Sequence, residues 1–133
     1  MTEPSIFTKI INGDIPCHKI YEDATTLAFL DIMPATPGHV LVIPKRQVEF
    51  AWDLTDEEYL ALAMTAKKVA LRLREVLNPA YVGELIVGTD VPHAHIHVVP
   101  FSEPRQLKDA LGADRPKQSD DKLNEMATRL RFA

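Results

Sequence analysis

The chain has 133 residues, 46% of them hydrophobic and 26% charged, a balance that fits one domain with its own buried core. Its net charge of −4 argues against non-specific nucleic-acid binding, which calls for a basic surface, but leaves a small anionic ligand possible because local donors decide a pocket. The lone Cys17 forms no intrachain disulfide, Met1 to Phe7 lacks a leader pattern, and no apolar run nears the roughly 20 residues of a spanning helix, so the chain reads as cytoplasmic with no membrane partner.

Taken in order, Ser5–Ile11 carries Ile6, Phe7, Ile10 and Ile11 at helical spacing, and Asn12-Gly13-Asp14 with Pro16 stops it. Lys19–Glu22 and Thr25–Asp31 read as strands around an Asp23-Ala24 turn. Along the second, Asp31 shares the face of Leu27 and Phe29. Pro34 to Gly38 makes a rigid turn before Val40–Ile43, an apolar run suited to a central strand that Pro44 ends. Lys45, Arg46 and His18 read as surface groups. Thr55-Asp56-Glu57-Glu58 is a capping box, and the helix it opens keeps Tyr59, Leu62, Ala66, Leu73 and Leu77 on one stripe until Asn78-Pro79. Tyr81–Val87 is a strand, Gly88–Pro92 a link, and His93–Phe101 a last strand. Ser102–Lys117 is polar and loop-like. Ser119 caps a final helix with Leu123, Met126, Ala127 and Leu130 on one face. Short strands and segregated helices predict α+β with an antiparallel sheet.

His93-Ala94-His95-Ile96-His97 is the informative stretch. On a strand, three imidazoles line one face, while Ala94, Ile96 and Val98 turn to the core. Packing alone does not call for three histidines there. Two chemistries compete. His93 and His95 could share a zinc ion, but His93 and His97 stand about 13 Å apart on a strand, too far for one metal with bonds of about 2.1 Å. A neutral imidazole can instead attack phosphorus while its neighbours donate to the phosphoryl oxygens, and this chemistry suits imidazoles set along a line.

The stretch resembles the histidine triad family, whose pattern is His-x-His-x-His with apolar residues between. Ile6-Phe7-x-Lys9-Ile10, Gly13-Asp14-Ile15-Pro16, Tyr21-Glu22-Asp23, Ala28-Phe29-Leu30-Asp31-Ile32 and Pro37-Gly38-His39-Val40-Leu41-Val42-Ile43-Pro44-Lys45 match in order, so the likeness runs from about Ser5 to Pro100. The resemblance implies a HIT-like α+β fold with a long helix and a short N-terminal helix, its sheet joined across a homodimer. It also implies one domain over 1–133, with a core near 5–100 and a variable tail over 101–133 that carries a short helix.

The implied activity is a nucleoside phosphoramidase-like hydrolase acting at the α-phosphorus of a purine nucleotide, an AMP or GMP derivative. His95 would be the nucleophile, His97 would contact a phosphoryl oxygen, His93 would support them, and His39 would orient the site. Asp31 would accept both ribose hydroxyls, and Phe7, Ile10, Phe29 and Ile32 would hold the base. Gly88, Thr89 and Asp90 would border the phosphate. No cofactor is implied. Many bacterial relatives carry zinc-binding cysteines near the start and a histidine after the Pro-Lys pair. Ser5, Thr8 and Gln47 stand there, so no structural zinc is expected. The loop before the triad is shortened, and Asp90 puts a carboxylate where relatives place a hydroxyl. A nucleotide-binding module with little turnover and a dinucleoside polyphosphate hydrolase are the alternative readings.

Overall fold

Neither Thr26–Leu30 nor Val40–Pro44 has a polar face, and all ten residues are buried. Strands of that kind need cover on both sides. In the computed structural model, which describes residues 3–112 and 114–132, the cover is a layer of helices on one side and a thinner layer on the other. The readings that touch Met1, Thr2, Ala113 and Ala133, on a leader, the 102–117 segment and the domain limits, fall there outside the described residues.

The elements are α1 (Ile6–Ile11), β1 (Lys19–Glu22), β2 (Thr26–Leu30), β3 (Val40–Pro44), a 3-10 turn (Ala51–Asp53), α2 (Asp56–Leu77), β4 (Tyr81–Leu85), β5 (Ile96–Phe101), α3 (Pro104–Asp109) and α4 (Asp120–Leu130). The sheet has the order β1-β2-β3-β5-β4 and is antiparallel at every pairing. The five-stranded α+β expectation holds. No described helix is long and apolar enough to cross a membrane.

One sheet face packs under α2 and α4. Ala28, Leu30, Val40, Val42, Ile96 and Val98 meet Leu62, Ala66, Val69 and Leu73 from α2 and Leu123, Ala127 and Leu130 from α4. Each fully buried Leu or Val contributes on the order of 1.5–3 kcal/mol, which makes this the main core. The opposite face holds Leu27, Phe29, Leu41 and Ile43 beneath Phe7 of α1. That smaller cluster is the floor of the site described below.

Local chemistry sets the element ends. Thr55 accepts from the Glu58 amide and the Glu58 carboxylate accepts from Thr55 N–H, so the capping box forms as its sequence predicts. Asn78 closes α2 in the left-handed conformation, φ 49°. Gly38 has φ +95°, and a Cβ there would stand 2.7 Å from Leu77 Cδ1, so only glycine lets the chain enter β3 beside the helix end.

Four readings need correction. β5 begins at Ile96 and not at His93: Ala94 N–H donates to Val48 O and His93 N–H to Val91 O, which takes 93–95 off the ladder. β4 stops at Leu85, paired with His97, two residues short of the expected Val87. Within the loop-like 102–117 segment, Pro104–Asp109 forms α3, opened by Pro104 and by Gln106 Oε1 accepting from the Ser102 and Glu103 amides. The region after 101 thus carries two helices rather than one. Finally, His18 is not a free surface group. Its side chain is 16% exposed and its Nδ1 pairs with Asn124 Oδ1 of α4.

Candidate active site

The candidate residues come from four places in the chain. Asp31 follows β2, His39 precedes β3, and His95 and His97 flank the start of β5. Phe7 and Ile10 reach over from α1. All but His39 border a cavity of about 220 Å³, whose lining includes Phe7, Ile10, Phe29, Asp31, Ile32, Asp90, His95 and His97. The lining is mostly apolar with a few polar groups at one end, the usual make-up of a small-molecule pocket.

His93 and His39 do not border this cavity. They lie one layer behind, both at 0% exposure, and hold the two histidines that do border it. Gly88 and Thr89 also stand off it. Gly88 takes φ +86° beside Phe50, and Thr89 lies next to Asp90. Lys45 and Arg46 are engaged elsewhere, by Glu22 and Glu58.

Hydrogen-bond partners fix the imidazole tautomers, because a carbonyl only accepts and an amide N–H only donates. His93 Nε2 lies 2.8 Å from Pro44 O, so it carries the proton, and Nδ1 accepts from the Ser5 hydroxyl at 2.8 Å. His95 Nδ1 lies 2.8 Å from His93 O and therefore donates, which leaves Nε2 of a neutral ring with its lone pair free. Ala35 N–H donates to His39 Nδ1 at 3.0 Å, so His39 Nε2–H donates to His97 Nδ1 at 2.9 Å. His97 then presents Nε2–H as a donor. One imidazole thus offers an electron pair and its neighbour a proton donor, with ring centres 5.0 Å apart.

Burial keeps the supporting rings neutral. It pushes His39 down to about 3, helped by His97, Arg115 and His95. It takes His97 to about 4, helped by His95 and Arg115 and opposed by the Asp90 carboxylate. His93 is likewise lowered by burial. Asp31 is raised, again by burial, while the Met33 amide and Arg115 pull it back.

Metal binding fits these atoms poorly. Both His93 nitrogens are engaged, and His95 Nδ1 is too, so that pair offers no shared chelate. Asp31, His39 and His97 bring ligand atoms within 4.8 Å of one another. Those atoms already serve the His39–His97 hydrogen bond and the ion pair of Asp31. Ser5, Thr8 and Gln47 bond among themselves and to His93: Thr8 Oγ1–H and Ser5 N–H both donate to Gln47 Oε1, at 2.6 and 2.7 Å. Hydroxyl and amide groups are weak zinc ligands beside thiolates.

Two partners had no clear signal in the sequence. Arg115, from the polar segment after α3, pairs with Asp31 at 2.8 Å. The Ala35 amide is invisible in any side-chain pattern.

The HIT domain family model matches residues 12–103. Protein hit of Bacillus subtilis is 42% identical over 103 residues, covering 74% of this chain and 71% of that protein. The adenosine 5′-monophosphoramidase hnt1 of Schizosaccharomyces pombe is 42% identical over 96 residues, covering 71% of this chain and 72% of its own. Among solved structures, a Hit-like protein involved in cell-cycle regulation from Bartonella henselae superposes with a TM-score of 0.85 at 28% identity, covering 96% of this chain and 93% of that one.

Proposed function

The chain belongs to the HIT domain family, and on that footing we propose that it is a nucleotide hydrolase or transferase acting at the α-phosphorus of a purine nucleoside phosphoramidate or acyl nucleotide. The observation that carries the reading is the tautomer chain that leaves His95 Nε2 with a free lone pair at the polar end of the cavity.

In this mechanism the base enters the apolar slot of Phe7, Ile10, Phe29 and Ile32, and the Asp31 carboxylate accepts from both ribose hydroxyls. His95 Nε2 attacks the phosphorus and forms a P–N bond. The bond to the leaving group breaks, and a phosphoramidate nitrogen that is protonated in the bound substrate departs as a neutral amine. His97 Nε2–H donates to a non-bridging oxygen and keeps its proton. Water then attacks the nucleotidyl-imidazolium, the His95–phosphorus bond breaks, and the released proton passes to solvent. His95 returns to its neutral tautomer, which the His93 carbonyl re-selects.

Asp90 borders the same cavity, whose lining contains no Lys or Arg. A carboxylate there disfavours a polyanionic leaving group and ranks phosphoramidates above dinucleoside polyphosphates. The same carboxylate motivates the second reading, nucleotide binding with little turnover. Leu60, Met64 and Leu71 fall on one side of α2 and are about half exposed or more. We assign that face to a homodimer contact, to be checked by light scattering of the purified chain.

The test is turnover of adenosine 5′-phosphoramidate by His95→Ala, where a loss of at least about a thousandfold is expected. Retained turnover removes His95 as nucleophile. Binding of AMP by the unmodified chain with no turnover of any phosphoramidate favours the second reading.

A further inference from the structure

Asp31 is a buried carboxylate whose two oxygens are already in use. Oδ1 accepts from Met33 N–H at 2.9 Å and Oδ2 from Arg115 Nη2 at 2.8 Å. A carboxylate accepts at about four lone-pair sites, so one remains on each oxygen. A vicinal diol brings two donors, one for each.

The guanidinium that completes this pattern is itself locked. Arg115 Nε donates to Met33 O at 2.5 Å, and Nη1 donates to Ala110 O at 3.1 Å and to Gly112 O. Met33 therefore gives its N–H to Asp31 and its carbonyl to Arg115, closing a ring of three residues. Gln118 N–H donates to Ile32 O at 2.8 Å and pins the segment beyond Arg115 to the same wall. The Arg115 side chain is only 10% exposed and has no freedom to follow a phosphate. It also lies outside residues 12–103, the span that matches the family model.

Resting on the ribose reading of Asp31 above, we propose that Arg115 is a positioning residue for the ribose subsite, orienting the Asp31 carboxylate so that one acceptor on each oxygen faces the sugar. The segment after α3 thereby sets the preference for a ribonucleotide over a deoxyribonucleotide. Asp31 is faced by Arg115, by His39 with Nε2 3.7 Å from Oδ2, and by His95 and His97. Of these, Arg115 is the permanent cation. Without it the buried carboxyl takes up a proton more readily and exchanges an acceptor for a donor.

The experiment compares the unmodified chain, Arg115→Met and Arg115→Lys on adenosine and 2′-deoxyadenosine 5′-phosphoramidates, with kcat and KM measured between pH 4.5 and 8. For Arg115→Met, KM for the ribose substrate rises about tenfold, the loss expected for a charge-assisted hydrogen bond, while KM for the deoxy substrate, which keeps one of the two hydroxyls, rises clearly less. The acid limb of kcat/KM moves to higher pH for the ribose substrate. Arg115→Lys keeps the charge without the fork and falls between, which keeps the test decisive if the Met variant does not fold. Equal rises in KM for both sugars, or an unmoved acid limb, overturn the proposal and leave a merely structural brace. If the unmodified chain does not distinguish the sugars, the ribose reading of Asp31 fails and the proposal falls with it. If the unmodified chain does and Arg115→Met still does, only the proposal fails.

Discussion

Replacing His39 by Gln removes the imidazole most strongly held neutral, while a side-chain amide remains to donate to His97. In the unfolded chain a histidine protonates near 6.5, and in the fold burial, then His97, Arg115 and His95, take His39 down to about 3. The sign follows. Above about pH 7 the ring is neutral in both states and contributes nothing to the pH dependence. As pH falls below 6.5 the unfolded chain binds a proton that the fold refuses, and stability drops by about 1.36 kcal/mol per pH unit until about pH 3. The full loss is on the order of 5 kcal/mol, and roughly 3 kcal/mol of it has appeared by pH 4. Against a total stability of about 5–15 kcal/mol, this one ring is enough to bring acid unfolding within reach. Urea titrations followed by circular dichroism at pH 7 and pH 4 check the point. At pH 7, His39→Gln is less stable by about 1–3 kcal/mol, because the part-buried Ala35 amide loses its acceptor. Between pH 7 and pH 4, however, it loses about 3 kcal/mol less than the unmodified chain. An equal loss in both proteins refutes the reasoning, since His39 would then not be a group that the fold keeps unprotonated.

Two further outcomes follow from particular contacts. Ser5→Ala leaves the buried His93 Nδ1 without its donor and costs about 1–3 kcal/mol, seen as a lower Tm, with Ser5→Thr restoring most of it. Asp90→Asn removes the carboxylate from the cavity wall and raises kcat/KM for a diadenosine polyphosphate about fivefold relative to a phosphoramidate, the size of a screened charge contact. An unchanged ratio removes Asp90 from any part in leaving-group choice.

Much of the fold was legible because its signals are local. Thr55 and Glu58 specify the start of α2 by themselves, and the unbroken apolar runs in β2 and β3 announce strands covered on both sides. The start of β5 was not legible, because alternation in the sequence persists through His93, Ala94 and His95 while their backbone leaves the ladder for Val48 and Val91. The Pro104 and Gln106 signal for α3 was present but sat in a polar stretch without a strong apolar stripe. At the site, residue types were readable and their layering was not. Four histidines look alike in sequence, yet two line the cavity and two stand behind it, a division made by Ser5, Pro44 and Ala35. Arg115 gave no warning, because a single cation among polar residues is usually solvated.

The Ser5–His93 hydrogen bond joins positions 88 residues apart, and the Arg115–Asp31 pair joins positions 84 apart. Closing such long loops is entropically costly, whereas α2 and the β1–β2 hairpin need only near neighbours. The site is therefore tied off by contacts between distant parts of the chain, after the sheet and its main helix have given them something to close upon. Loosening the Ser5 or Arg115 contact disturbs the histidines or the Asp31 wall of the cavity while the packing of α2 and α4 on the sheet stays in place, so the proposed turnover is a more sensitive gauge of these ties than helix content is.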